Sequence, residues 1–332
     1  MENNLIVSGK NLIGKTRGVI MPIVEDIINK DKSFVLIDLK KEYYNTYLDK
    51  LLEKGYEVRV INLDDSLRSD SYNPLKIPYD VYKEDKDKAS EYLRNIYSEL
   101  FKDEGGDPFW PNTSSDLAIG VTLKLFEKGK SDEINLLSVY NMICELADDN
   151  KLEKVIKYFE EDRSSLAYMY ASTALSSPSE TLKSIIVYTR DKLMPYTLTN
   201  LTKVLCHNNI SFDEKFALFV IPSKFDLVNV IINVLIRQLF EILKQFDLVL
   251  DNYDMLDNFD LVRYMQVCLD LNIRMIVGTR SLDKIKEKYG DYILNICDLV
   301  TDFDDLIFTS VSLDKELPKT TSENISVFKM LD

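Results

Sequence analysis

The sequence is poor in the residues that build metal centres, disulfide frameworks and membrane spans. Its 332 residues include one histidine and four cysteines, and the cysteines lie far apart without a C-x-x-C pair. Such spacing supports neither a zinc site nor a disulfide scaffold, and we expect buried thiols in a reducing cytosol. A core-strand pattern begins just after Met1, which leaves no room for a signal peptide. The most apolar later run, VNVIINVLIRQLF, is too short to span a bilayer. The sequence therefore predicts a cytoplasmic chain without a membrane segment.

The sequence also lacks an excess of positive charge, because its 55 Asp and Glu residues outnumber its 41 Lys and Arg residues. The formal net charge is −14, whereas 45% of the residues are apolar and 29% are charged, which is ordinary globular composition. A surface that binds nucleic acid over its whole area needs clustered Lys and Arg, so the charge argues against such a surface but leaves room for a local basic groove. The length suits one large domain or two small ones.

Strand and helix patterns alternate at the start of the chain. NLIVS is a short strand pattern, and the segment after Lys15 has helical spacing that Pro22 should kink or divide. SFVLID (33–38) and YEVRVINL (56–63) are strand patterns, and an amphipathic helix pattern between them ends at Gly55. This alternation predicts a parallel sheet covered on both faces.

The middle of the chain lacks strand patterns. From about residue 80 to 205 the periodicity is helical, and strand patterns return at 216–222, 247–251 and 273–279. Two further runs, ICDLVTDF and LIFTSV, could form edge strands. We therefore predict an α/β nucleotide-binding domain made of residues 1–80 and 206–332, with an all-α domain of residues 81–205 inserted between its halves.

One motif near the start carries recognisable chemistry. The pattern G-x-x-x-x-G-K-[ST] is complete and lies between a strand and a helix. It consists of Gly9, Lys10, Asn11, Leu12, Ile13, Gly14, Lys15 and Thr16. In a working phosphate loop, the amides and helix N-terminus face the phosphates, Lys15 reaches the outer phosphates and Thr16 coordinates Mg²⁺. The alternative is a glycine-rich turn with a surface lysine. The bulk of Leu12 and Ile13 would narrow the space for a nucleotide.

A phosphate loop is usually joined by a carboxylate at the end of another apolar strand, which holds the magnesium shell. FDLVLDN supplies this carboxylate as Asp251. Many related ATPases place a glutamate next to polarise the attacking water, but here the next residue is Asn252, whose amide cannot take a proton. Asp254 could substitute only if the loop turned it inward, and we expect it to be solvated.

Several blocks in one order resemble the type IV secretion coupling proteins, the conjugative DNA-transfer ATPases of the TraG/TraD group. The blocks are VSGKNLIGKTRGVIMP, VLIDLKKEYYNTYLDKLLEKGYEVRVINLDD, SDSYNPL, DPFWPNTSSDLAIG, TLKSIIVYTRDKL, ALFVIPSKFD, LVLDNYDML and KEKYGDYILNICD. They cover most of residues 5 to 298. One block would be weak evidence, but this ordered series is specific.

The resemblance implies a RecA-like P-loop NTPase fold and a hexameric motor that binds ATP and Mg²⁺ between subunits. Such a motor recruits single-stranded DNA or a relaxase–DNA complex, works with other secretion components and can lie peripherally at the inner face of the membrane. By position, Lys15 and Thr16 would bind phosphate and magnesium, and Asp251 would be the second-strand acid. Three further residues would lie near the nucleotide or a subunit junction: Asp38, Lys40 and Glu42.

The departures from the family pattern concern hydrolysis. Asn252 replaces the catalytic glutamate, and Leu269 and Leu271 stand where the family usually has an arginine. Arg280 and Lys284 replace glutamines. In other phosphoryl-transfer systems an arginine supplied in trans contributes about 10³ to 10⁵ in rate. Binding should therefore survive better than turnover, and Arg280 is either a partial substitute at the terminal phosphate or a surface charge.

Three functions remain open from the sequence. The first is an ATP-binding, coupling-protein-like component of conjugative DNA transfer whose hydrolysis is slow or absent. The second is a catalytically inactive nucleotide-binding paralogue that docks a substrate or partner through its helical domain. The third is an unrelated P-loop enzyme acting on a small molecule, for which we would expect a further polar pocket motif that the sequence does not show.

Overall fold

The structure is a computed structural model that describes residues 4–9, 14–103, 105–212, 215–224, 226–243, 245–256, 259–302 and 309–312. Four residues predicted to belong to the phosphate loop lie outside the described residues: Lys10, Asn11, Leu12 and Ile13.

The described strands form one eight-stranded sheet. The strands are β1 (Asn4–Ser8), β2 (Phe34–Ile37), β3 (Glu57–Asn62), β4 (Phe216–Ile221), β5 (Asp247–Leu250), β6 (Arg274–Thr279), β7 (Leu299–Asp302) and β8 (Thr309–Ser312). Their order is β3-β4-β2-β5-β6-β1-β7-β8. The pairs of β1 with β6 and β7, of β2 with β4 and β5, and of β5 with β6 are parallel, and β8 pairs antiparallel with β7. The predicted parallel-rich sheet is confirmed.

The described residues contain fourteen α-helices. They are α1 (Met21–Asn29), α2 (Glu42–Glu53), α3 (Lys76–Tyr82), α4 (Lys86–Leu100), α5 (Phe109–Lys128), α6 (Leu136–Ala147), α7 (Asp149–Glu160), α8 (Leu166–Leu175), α9 (Ser179–Leu193), α10 (Thr199–Leu205), α11 (Asp226–Ile242), α12 (Leu261–Leu271), α13 (Leu282–Tyr289) and α14 (Tyr292–Asn295). Short 3₁₀ turns cover Ser66–Arg68, Ser131–Glu133, Met194–Thr197 and Tyr253–Met255.

The chain divides into two compact units. One comprises residues 1–60, 211–222 and 238–332, and the other comprises residues 61–210 and 223–237. The first unit contains most of the sheet and the second is helical. The predicted assignment of residues 1–80 and 206–332 to a nucleotide domain, with 81–205 inserted, stays a prediction.

The sheet unit has its core between the sheet and the amphipathic helices. All six residues of β4 are buried, as expected for a strand covered on both faces. Helix α2 directs Tyr43, Tyr47 and Leu51 into the same cluster as Phe34. The spacing of these α2 residues places them on one helix face, so their burial anchors α2 against the sheet.

The helical unit is built around α5, whose middle turns are almost fully buried. The Tyr97 hydroxyl of α4 lies 2.6 Å from Thr122 Oγ1 in this core, so a buried polar pair is mutually satisfied. No strand occurs among the described residues between 80 and 205, which confirms the helical prediction for this segment.

The predicted break at Pro22 is also confirmed. Residues Thr16–Ile20 form a π-helical turn, and α1 begins at Met21 with proline in its first turn. Proline is tolerated there because its missing N–H would have no intrahelical partner.

Two other expectations can be compared with the described residues. Cys268 and Cys297 are buried, whereas Cys144 and Cys206 are partly exposed, so the expected burial is right for two of the four cysteines. Among the helices that the structure describes, none has the length and apolar character required to cross a bilayer.

Candidate functional site

The candidate site lies where three parallel strands end. Ser8 pairs with Thr279 at the ends of β1 and β6, and Leu250 pairs with Val277 at the end of β5. Asp251 therefore follows β5 beside Gly278. Because the carboxyl ends of parallel strands share one edge of the sheet, this edge collects the residues that follow each strand.

Lys15 is buried at this edge with 5% of its surface exposed. Its Nζ donates a hydrogen bond of 2.8 Å to the backbone oxygen of Thr279 and lies 4.0 Å from Asp251 Oδ1. A buried ammonium is stable only with such partners. The structure thus brings two predicted site residues, Lys15 and Asp251, close together.

Thr16 joins the same carboxylate. Its Oγ1 donates to Asp251 Oδ2 at 2.8 Å, and the Tyr43 hydroxyl donates to the same oxygen at 2.8 Å. Burial, with the negative charge of Asp251 as the next contribution, raises the pKa of Tyr43 far above its ordinary value. The tyrosine hydroxyl therefore keeps its proton and acts as a donor to Asp251.

The oxygens at this position fit a magnesium ion. Among the described residues, Asp251 Oδ1 is buried without a hydrogen-bond partner, which is costly for a polar atom unless something else binds it. The single hydroxyl proton of Thr16 is donated to Asp251, so the Thr16 oxygen keeps lone pairs for a cation. Carboxylate and hydroxyl oxygens are hard ligands of the kind that Mg²⁺ prefers.

Gly278 gives Asp251 its space. A Cβ built on Gly278 would lie 2.6 Å from Asp251 Oδ1, 2.7 Å from Ile20 Cδ1 and 3.3 Å from the Asp251 Cα. The first two separations are shorter than van der Waals contact. A side chain at 278 would therefore displace the carboxylate or the strand that carries it.

The two glycines of the motif flank the undescribed part of the loop. The Gly9 amide donates to the backbone oxygen of Thr279 at 3.1 Å, which fixes the loop entrance at the end of β6. Gly14 has φ of +95°, a backbone conformation that side chains other than hydrogen rarely allow. The second glycine of the motif is thus required by the backbone immediately before Lys15.

The residues after Asp251 turn sharply. Asn252 has a left-handed backbone, with φ of 63° and ψ of 49°, which asparagine tolerates better than most residues. Asp254 accepts hydrogen bonds from Thr279 Oγ1 at 2.8 Å and from the backbone amide of Arg280 at 2.7 Å. Asp254 was expected to be solvated, but its carboxylate instead ties the β5 loop to the end of β6. Arg280 itself is exposed.

The aspartate-x-lysine-x-glutamate segment forms the start of α2. Asp38 is buried and accepts backbone hydrogen bonds from Glu42 at 3.0 Å and Tyr44 at 2.9 Å, which satisfies amides of the first helical turn. Burial raises the pKa of the Asp38 carboxyl. Glu42 pairs with Arg17 at 2.9 Å, whereas Lys40 is exposed. This segment thus contacts the helical turn after the phosphate loop.

The other positions expected to depart from the family pattern lie at the surface. Leu269 is 37% exposed and Leu271 is 42% exposed in the last turn of α12. Lys284 is exposed in the first turn of α13, where its backbone amide donates to Ser281 Oγ at 3.4 Å. Within the described residues, none of these three side chains forms a hydrogen bond or an ion pair with Asp251.

Sequence reasoning missed three members of the site. Tyr43 lies in the amphipathic helix pattern that ends at Gly55, which predicts burial of its ring, but its hydroxyl also binds Asp251. Gly278 and Thr279 were recognised only as the end of a strand. The available signals were the position of Tyr43 directly after Glu42 and the two small residues that end the strand next to β5.

The chain is similar to known proteins of one family. Residues 6–278 match the family described as Type IV secretory system Conjugative DNA transfer. No curated protein matches. Among solved structures, the bacterial conjugative coupling protein TrwB in its trigonal form with sulphate matches with a TM-score of 0.63 and 11% identity, covering 90% of this chain and 68% of that one.

Two structures of TrwB with bound nucleotide also resemble the structure of this chain. The complex with ADP and Mg²⁺ gives a TM-score of 0.62, and the complex with the non-hydrolysable ATP analogue ADPNP gives 0.60. Both are 12% identical to this chain and cover 90% of it and 69% of their own length. At this identity the likeness shows the fold alone, and it confirms the predicted RecA-like α/β fold with a helical region.

The family match extends over most of the chain and contains the phosphate loop, the α2 segment and Asp251. It removes the alternative of an unrelated P-loop enzyme. The chain belongs to the type IV secretory system conjugative DNA transfer family, the coupling proteins.

Proposed function

We propose that this chain binds Mg-ATP as a coupling-protein component of conjugative DNA transfer and hydrolyses it slowly. The observation that carries the proposal is the convergence of Lys15, Thr16 and Asp251 at the carboxyl edge of the sheet. The TrwB complexes with ADP and Mg²⁺ and with ADPNP support the proposal, because a protein of this fold binds nucleotide in them.

The binding roles follow from the chemistry of each group. The buried Lys15 ammonium supplies positive charge for the outer phosphates, and the amides after Gly14 supply donors at a helix start. Thr16 and Asp251 would hold the magnesium ion, which when bound neutralises charge on the phosphates. These groups recognise the triphosphate rather than a base or sugar.

Slow turnover follows from the groups that would act on the attacking water. Asn252 occupies the position of a general base, and its amide cannot accept the proton. Asp254, the nearest alternative along the chain, already accepts two hydrogen bonds from the end of β6. An acid committed to structural contacts is poorly placed to act as a base, so binding should exceed catalysis.

The partners and location follow from family membership. We propose that the chain assembles as a homo-oligomer, a hexamer by analogy, and meets single-stranded DNA or a relaxase–DNA complex together with other type IV secretion components. We place it in the cytoplasm, peripheral to the inner face of the membrane through those partners. The net charge of −14 requires that any DNA-contacting groove be local.

Steady-state phosphate release from Mg-ATP, measured with and without single-stranded DNA, tests the proposal. Binding of Mg-ATP is measured in parallel by calorimetry. We expect clear binding by the wild type with phosphate release near background, and loss of binding in Lys15→Ala. Lys30→Ala is the matched control because its exposed ammonium pairs with Asp26 and should leave binding unchanged.

Rapid, DNA-stimulated phosphate release that is lost in Lys15→Ala would refute slow turnover and establish a motor. Equal binding by the wild type and Lys15→Ala would refute the phosphate-loop assignment itself. The two failures are distinguishable because binding and turnover are measured separately.

The alternative is a catalytically inactive paralogue that docks a substrate or partner. It is favoured by one observation, the amide at 252 held in a left-handed turn beside an Asp254 committed to β6. Its distinguishing result is nucleotide binding with phosphate release equal to that of Lys15→Ala under every DNA condition, whereas release that is slow but above this control supports the first proposal.

A further inference from the structure

The two carboxylate oxygens of Asp251 have different surroundings. Oδ2 accepts two hydroxyl hydrogen bonds, from Thr16 and from Tyr43, each at 2.8 Å. Oδ1 is buried, lies 4.0 Å from Lys15 Nζ and has no hydrogen-bond partner among the described residues. A carboxylate oxygen has about two lone-pair sites, so Oδ2 is saturated while Oδ1 keeps its capacity.

Tyr43 is held in place by the start of its helix and by the buried cluster around its ring. Its helix, α2, begins one residue earlier, where the buried Asp38 accepts the amides of Glu42 and Tyr44. The tyrosine ring lies in the same buried cluster as Ile20 and Val249, and only 3% of its surface is exposed. The hydroxyl therefore reaches Asp251 from a fixed point, at a small cost in side-chain entropy on forming the bond.

The opposite side of Asp251 is equally constrained. Gly278 leaves room for Oδ1 and for nothing larger, since a Cβ there would lie 2.6 Å from that oxygen. The carboxylate is therefore confined between the hydroxyl donors on one side and β6 on the other. Without the Tyr43 donor, Thr16 alone would hold Oδ2, and the carboxylate could rotate about its Cβ–Cγ bond.

We infer that Tyr43 is a positioning residue for the magnesium carboxylate, which it holds against rotation beside Thr16. This inference deepens the proposed Mg-ATP function and rests on it. Hydrogen bonds to a ligating carboxylate orient it and tune its affinity, and removing such a bond typically weakens metal binding about 10- to 100-fold. Tyr43 contacts neither phosphate nor metal in this role, so it acts only through Asp251.

The test compares ADP binding by calorimetry in MgCl₂ and in EDTA. The ratio of the two dissociation constants gives a magnesium enhancement of nucleotide affinity. We expect Tyr43→Phe, which removes only the hydroxyl, to lower this enhancement about 10-fold or more while ADP affinity in EDTA stays unchanged. Substitution of Asp251 by Asn should lower the enhancement as well, and adding Tyr43→Phe to that variant should have no further effect.

Tyr47→Phe is the matched control. Tyr47 lies one turn further along α2, is buried to a similar degree and donates its hydroxyl to the backbone oxygen of Met21 at 3.0 Å. The substitution removes the same atom from the same helix without touching Asp251. We expect the magnesium enhancement of this variant to equal that of the wild type.

An unchanged enhancement in Tyr43→Phe would overturn the inference and leave the proposed function intact. A proportional loss of ADP affinity in both MgCl₂ and EDTA would also overturn it, because that result indicates general structural damage. A wild-type chain that binds no ADP in either solution would overturn both the inference and the proposed function.

Discussion

Replacement of Gly278 by Ala should destabilise the sheet unit and weaken magnesium-dependent nucleotide binding together. The added methyl would lie 2.6 Å from Asp251 Oδ1 and 2.7 Å from Ile20 Cδ1. It would also lie 3.3 Å from the Cα of Asp251, so rotation of the carboxylate alone would not relieve the crowding. Strand β5 or the carboxylate and its neighbours must shift.

The size of the effect follows from two opposing contributions. An extra methyl group in a tightly packed interior typically costs about 1–3 kcal/mol. Alanine also restricts the unfolded chain relative to glycine, which stabilises by about 0.4–1 kcal/mol where the backbone allows it. The backbone of Gly278 is not in the left-handed region, so this gain applies. We expect a net loss of about 1–2 kcal/mol in the free energy of unfolding.

Urea unfolding followed by far-ultraviolet circular dichroism measures the change in stability, and calorimetry with Mg-ADP measures binding. Gly18→Ala is the control because Gly18 lies in the helical turn after the phosphate loop and its added methyl meets nothing within 4 Å. That variant should be as stable as the wild type or more stable, by up to about 1 kcal/mol.

A Gly278→Ala protein with wild-type unfolding and wild-type magnesium-dependent affinity would refute the reasoning. It would mean that Asp251 does not lie against β6 as the structure shows. Loss of stability with unchanged magnesium-dependent affinity would refute only the link between the position of Asp251 and metal binding.

Two further substitutions test the turn after β5 and the start of α2. Asn252→Glu should raise phosphate release above the wild-type rate if the missing base limits turnover. Because residue 252 has a left-handed backbone, the glutamate should lower the free energy of unfolding, measured in urea, by about 1–2 kcal/mol. Asn252→Gly should lower it little. Burial raises the pKa of Asp38, so the folded state retains this proton to higher pH than the unfolded state. The wild type should therefore lose stability relative to Asp38→Asn as pH rises from about 4 through the raised pKa, and a constant difference across this range in urea titrations would contradict that assignment.

Much of the fold was predictable because its signals are local in sequence. Continuous apolar runs such as FALFVI indicate strands buried on both faces, and the complete phosphate-loop motif fixes a strand, a turn and a helix in order. The helical spacing from residue 80 to 205 predicted the absence of strands there. Pro22 marked the helix break because its ring and missing N–H act on the nearest turn of the backbone.

The contacts around Asp251 could not be predicted because they join residues that are distant in sequence. The Tyr43 hydroxyl and Asp251 are 208 positions apart, and their contact depends on sheet order and on the rotation of α2 about its axis. A tyrosine in an amphipathic pattern predicts burial of its ring and says nothing about the partner of its hydroxyl. Asp254 was assigned to solvent for the same reason, since its partner Thr279 lies on another strand.

In this chain, the residues proposed for binding and those proposed for turnover lie in different surroundings. The groups assigned to binding are buried and joined to one another, because Lys15, Thr16 and Tyr43 all lie at Asp251. Changing any one of them alters the surroundings of the Asp251 carboxylate. The positions expected from the sequence to depart from the family pattern are exposed or lie in a turn, where substitution leaves the packing intact. On the proposed function, substitutions at the surface or in a turn weaken hydrolysis, while the proposed nucleotide site stays part of the folded core.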